Sequence, residues 1–105
     1  MKKVRISERR RALLAGKIVW DDGAFTADCT VKDISESGAR IQLGNRESIP
    51  NQVYFIERKS GAVHEAKVVW RHSPLFGLRF VRQIDRSDPP PELRNLERLW
   101  SALRH

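Results

Sequence analysis

The chain has 105 residues, with twenty Lys and Arg against thirteen Asp and Glu, a formal charge of +7. A chain this short supports one hydrophobic core, which excludes a two-domain enzyme. No apolar run approaches the ~20 residues that cross a bilayer, and residues 1–11 lack the apolar segment of a secretory signal. The expectation is therefore a cytoplasmic protein without membrane insertion. The single cysteine, Cys29, excludes an internal disulfide and a Cys-based zinc site. It follows Thr26-Ala27-Asp28 in an alternating stretch, so a buried and inert thiol is expected.

Taken in chain order, the first feature is charge. Residues 1–17 hold seven basic side chains, Lys2, Lys3, Arg5, Arg9, Arg10, Arg11 and Lys17, against the single acid Glu8. The other 88 residues carry thirteen basic and twelve acidic groups, so the basicity belongs to one short segment. A protein that coats a nucleic-acid backbone spreads its cations along a face. This distribution instead suits a basic arm over residues 1–16 that either keeps the chain soluble or closes on a small anion. Arginine outnumbers lysine there, and guanidinium is the group suited to bidentate phosphate contacts.

Residues 17–21 form a β-prone run, and Asp22-Gly23 behind it is a strong hairpin-turn signal. Residues 24–31 alternate, with Phe25, Ala27, Cys29 and Val31 on one parity and Thr26, Asp28 and Thr30 on the other, as in a half-buried strand. Ala39, Ile41 and Leu43 repeat the pattern before Gly44-Asn45. Residues 53–56, 62–70 and 77–81 supply three more strands. Six short strands at this spacing predict a small barrel or sandwich over residues 17–82. After Val81 the sequence changes character. Asp88 and three prolines precede Leu93, Leu96, Leu99, Trp100 and Leu103, spaced by three and four, which predicts an amphipathic helix over residues 92–104 within a C-terminal segment of residues 83–105. Its apolar stripe is expected to cover the barrel or to pack against a second copy.

Residues that could carry catalysis are sparse. His64, His72 and His105 have no metal-ligand spacing, and His64 falls on a half-buried strand, where a packed side chain is expected. Glu57, Glu65 and the Asp21-Asp22 pair have no nucleophile near them in sequence. No phosphate-binding glycine loop is present. The chain is accordingly expected not to be an enzyme and to hold no metal or cofactor.

One segment between two strands is different: Asp33-Ile-Ser35-Glu-Ser-Gly38. Its small polar residues make a tight turn, since Asp33 and Ser35 can bond nearby amides and Gly38 can adopt positive φ. The same residue types also form an edge that reads a base. A carboxylate accepts hydrogen bonds from guanine N1 and N2, and a glycine admits a ring close to the backbone.

Asp33-x-Ser35-x-x-Gly38, followed by the apolar strand Ala39-Arg40-Ile41, resembles the (D/N)xSxxG motif of the PilZ domains, which are receptors for the bacterial second messenger cyclic di-GMP. Lys67-Val-Val-Trp70 and Gly77-Leu-Arg-Phe80 are similar to the closing strands of that family. The resemblance implies a mainly β fold, a six-stranded antiparallel barrel with a C-terminal α-helix. It also implies cyclic di-GMP as ligand, with Arg5, Arg9, Arg10, Arg11, Asp33, Ser35 and Gly38 as its binding residues.

The family's second motif, RxxxR, is where the chain departs. Counting four residues on from Arg10 reaches Leu14, and a literal RxxxR exists only from Arg5 to Arg9. Two registers follow: Arg10 and Arg11 face the ligand with Leu14 in the vacant position, or Arg5 and Arg9 form the pair. The first is favoured. Trp20 and Trp70 are expected in the core, with lining of the site as the alternative. The functional expectation is a receptor or adaptor whose arginine-rich arm orders on the ligand and signals to an unidentified output protein. A degenerate domain acting only through protein contacts is the alternative, a small RNA- or DNA-binding barrel a distant third, and monomer or homodimer stays open.

Overall fold

The computed structural model describes residues 10–21, 23–44, 48–85 and 87. Arg5, Arg9 and the expected helix over residues 92–104 lie outside the described residues. Six strands run in chain order: β1 (Arg10–Trp20), β2 (Phe25–Ile34), β3 (Gly38–Gln42), β4 (Gln52–Glu57), β5 (Val63–His72) and β6 (Leu75–Ile84). They close into a barrel in the order β1-β2-β3-β6-β5-β4, with every neighbouring pair antiparallel. Closure leaves no unpaired sheet edge. The mainly β, six-stranded architecture expected from the alternation is the one observed.

The barrel consists of two three-stranded meanders, β1-β2-β3 and β4-β5-β6, joined along a β1–β4 seam and a β3–β6 seam. The turn after β1 needs two left-handed residues, and Asp21 (φ 57°) and Gly23 (φ 87°) supply them. Trp20 and Phe25 close that hairpin as a directly opposed pair, with ring centroids 5.8 Å apart. Trp20 is half-buried, as a core-facing tryptophan should be.

Inward parity decides the core. Ile18, Ala27, Val31, Ile41, Phe55, Ala66 and Leu78 meet inside the barrel, and Cys29 lies among them with 7% exposure. Burial pushes the Cys29 thiol up to about 12, so it stays protonated and inert. Val19 and Ile56 follow the buried Ile18 and Phe55 and therefore point to the opposite face. There they form a second buried cluster with Val63 and Ile84, against which Tyr54 packs.

The first strand corrects one boundary. It begins at Arg10 rather than at Lys17, so the barrel takes residues assigned above to the basic arm. The charge run masked the strand because its alternation is broken: the β1–β2 register shifts between Arg11 and Leu14. Leu14 is half-buried against the core, as an inward strand residue.

Two contacts fix the barrel's ends. Leu43 is buried just after β3, and the segment of residues 48–51 leading into β4 buries Ile49. Arg71 on β5 pins it, donating from Nη1 to the Ile49 carbonyl and from Nη2 to Asn51 Oδ1, both at 2.8 Å. Its guanidinium also sits 5.9 Å from the Phe76 ring centre. Toward the other end, His64 stacks on Phe80 with centroids 4.1 Å apart, and Phe55 packs near both rings. His64 is thus a packed side chain, as its strand position implied.

Two outcomes follow. Arg71→Ala, which removes two hydrogen bonds to the segment before β4, lowers unfolding free energy by about 1–3 kcal/mol in urea denaturation. Burial holds His64 below its ordinary 6.5, against a smaller opposing effect of Glu57. Between the folded value and 6.5 the unfolded chain binds more protons, so stability is full above about 6.5 and declines as pH falls through that window. The acid decline of the thermal midpoint is flattened in His64→Gln if His64 is the source, whereas an unchanged acid slope in the variant assigns it elsewhere.

Candidate functional site

The turn between β2 and β3 holds its shape through its own polar groups. The Ser35 amide donates to the Gly38 carbonyl at 2.8 Å, and Ser35 Oγ accepts from the Ser37 amide at 3.2 Å. Ser35 Oγ also lies 3.2 Å from Ser37 Oγ. The Phe80 amide donates to the Ser37 carbonyl at 2.8 Å, which ties the turn to β6. Ser35 is half-buried, and Glu36 and Ser37 are exposed.

Gly38 is required, but not for the reason the sequence offered. Its φ is not positive; the positive-φ glycines are Gly23 and Gly61. A Cβ at Gly38 would fall 2.1 Å from the Leu78 carbonyl oxygen and 3.3 Å from Arg79 Cα. The glycine permits the close approach of β3 to β6.

Asp33, with 6% exposure, is the one buried charged residue among those described. Arg40 on β3 lies directly opposite, with Nε 2.9 Å from Asp33 Oδ2. That N–H is not aligned on an acceptor, so the contact is one of charge rather than a directed hydrogen bond.

The strand registers place these groups in one cross-strand row. Arg11 lies opposite Asp33, Asp33 opposite Arg40, Arg40 opposite Gly77, and Gly77 opposite Trp70. Arg10 lies opposite Ile34. The structure thus sets Arg11 across from Asp33, and Arg10 across from Ile34, the residue before Ser35. Leu14 sits opposite Val31 and packs inward.

Trp70 corrects the expectation of a core tryptophan. It is 40% exposed on the outer wall, and its indole occupies the space over Gly77, where a Cβ would fall 2.0 Å from Nε1. A register shift between Val68 and Trp70 turns the ring outward.

Two cations on this wall were not singled out from the sequence: Arg40, and Arg79, which lies opposite Gly38. The signal was present in the parity, since each alternates with residues that face the core. A shallow concavity beside Cys29, lined by Asp28, Thr30, Gln42, Leu43 and Gly44, contains none of the motif residues. Among the described residues no three His, Cys, Asp or Glu side chains cluster as metal ligands, and no helix is long and apolar enough to cross a membrane.

The chain matches the PilZ domain over residues 4–100, and it belongs to that family, whose members bind ligand or partner rather than catalyse. In fold it is similar to the crystal structure of the PilZ domain of CeSA from a cellulose-synthesizing bacterium. The TM-score is 0.60 at 19% identity, covering 94% of this chain and 100% of that one. No curated protein matches.

The seam yields a direct expectation. Gly38→Ala cannot be absorbed by a flexible side chain, because its Cβ meets backbone. The variant should lose at least about 2 kcal/mol in chemical denaturation, whereas Ser37→Ala, at an exposed position of the same turn, should lose under about 1 kcal/mol.

Proposed function

We propose that this chain is a cyclic di-GMP receptor or adaptor that holds the dinucleotide against the outer wall of the barrel at Asp33, Ser35 and Gly38. No bond is made or broken. The observation that carries the reading is the pairing of Arg11 with Asp33, which joins the two halves of the family pattern on neighbouring strands. It supports the register in which Arg10 and Arg11 serve the ligand.

The division of labour follows from chemistry. Arg10 and Arg11, with Arg5 and Arg9 from the preceding segment, provide charge-assisted bonds to the two phosphates and a guanidinium for guanine O6 and N7. The Asp33 carboxylate accepts from guanine N1–H and N2–H, and Ser35 contributes a hydroxyl at the same edge. Trp70, exposed in the same row, offers a flat face for a base. Binding draws the segment carrying Arg5 and Arg9 onto the wall, and the surface so ordered engages an output protein.

One observation favours a second reading, a domain that works through protein contacts without the dinucleotide. Leu14 occupies the position of the motif's second arginine and is packed against the core. Arginine at that position would have to leave the core to reach a ligand.

Isothermal titration with cyclic di-GMP, GTP and linear pGpG separates the two. The receptor gives saturable heat with cyclic di-GMP alone, and Arg11→Ala weakens it roughly five- to 150-fold, the range for loss of a bidentate arginine. Silence toward all three from a folded chain assigns the adaptor.

A further inference from the structure

The outer wall beside the β2–β3 turn contains a square of four positions. Ala39 and Ile41 of β3, and Phe76 and Leu78 of β6, point into the core, so Gly38, Arg40, Gly77 and Arg79 face outward. Gly38 lies opposite Arg79, and Arg40 opposite Gly77. The arginines therefore occupy diagonal corners, and glycines the other two. Diagonal positions on one face of an antiparallel pair are about 7–8 Å apart, within reach of two guanidinium groups converging on one phosphate. No side chain rises from either glycine corner. The Trp70 indole lies over Gly77 and bounds that side.

Electrostatics single out the same place. Arg40 is held at Asp33, but among the described residues neither Arg79 nor Lys67, which lies opposite it, has an ion-pair partner. Both are exposed. This wall gathers three cations, Arg40, Arg79 and Lys67, around one buried carboxylate. Such an arrangement is repulsive until an anion enters it.

We propose that Arg40 and Arg79 clamp a phosphodiester of the bound nucleotide, so that the barrel wall supplies the guanidinium that Leu14 denies to the arm. The inference rests on the receptor reading above and assigns that site two further ligand contacts. The free-state pair between Arg40 and Asp33 is exchanged on binding: Arg40 turns to the phosphate as the carboxylate takes the guanine edge. Each charge leaves one partner for another.

The test is calorimetric titration of the full chain with cyclic di-GMP at low and high salt, together with thermal unfolding of the free protein. Arg79→Ala should weaken binding roughly tenfold or more and flatten its salt dependence, since one phosphate contact is gone. The thermal midpoint of the free variant should not fall, because one of several like charges has been removed. Arg40→Ala should weaken binding to a similar degree while lowering the midpoint, because the Arg40–Asp33 ion pair is lost. Arg40→Lys should recover part of the salt dependence, and Lys59→Ala, on the β4–β5 turn, should bind as the wild type does.

Binding by Arg79→Ala within twofold of wild type overturns the clamp. So does a loss with unchanged salt dependence, which would give these arginines a structural role only. A wild type that binds no cyclic di-GMP at either salt overturns the receptor reading and the clamp together, an outcome distinct from a binding wild type whose arginine variants are unaffected.

Discussion

The close approach of β3 to β6 at Gly38 is the constraint on which the rest of the molecule depends. Each meander presents two seam strands to the other, and the barrel closes only where β3 pairs with β6 as β1 does with β4. At Gly38 the gap admits no Cβ, because the Leu78 carbonyl lies where one would stand. The same residue ends the turn that carries Asp33 and Ser35. A glycine that the sequence presents as part of a ligand motif is therefore also a closure element. Loss of fit at the seam and loss of the turn's shape are one event.

Rigidity at the surface is passed up from the core. Phe80 stacks against His64 inside, while its amide holds the Ser37 carbonyl outside. A shift of that ring would move the tip of the turn. Ser35 fastens the turn from within, and Arg40 positions the Asp33 carboxylate by charge. A site held at this many points is preorganised, so little ordering entropy remains to be overcome on the barrel side when a ligand arrives.

Much of this was legible in the residues, for identifiable reasons. The half-buried strands announced themselves by period-two alternation, as in Ala27, Cys29 and Val31, because burial on one face and exposure on the other imprints the pleat on the sequence. The Asp33 turn was visible as a cluster of small polar residues ending in glycine. What stayed hidden depended on register. The start of β1 was obscured by a shift that broke its alternation among arginines. Trp70 was assigned inward because tryptophan is large and apolar, and only its shifted position opposite Gly77 turns it out. Arg40 and Arg79 are unremarkable strand residues until the β3–β6 register sets them diagonally across two glycines. Pairing between distant strands is not written in local periodicity, so neither is any site that it assembles.

The Asp33–Arg40 pair also bears on which ligands the proposed site would accept. A bare anion can draw Arg40 away, but it offers the carboxylate nothing in exchange. Asp33 has only 6% exposure, so water compensates it poorly for the loss of the Arg40 charge. Removing one partner of such a pair costs more than the new contact returns, because the remaining charge keeps its desolvation penalty. A ligand that carries a phosphate and, at the right separation, a pair of N–H donors satisfies both halves at once. A guanine nucleotide has that combination. Adenine turns N1, an acceptor, toward the same carboxylate and meets it with repulsion. On this argument the proposed site would select its base by answering Arg40 and Asp33 together, rather than through the strength of any single bond.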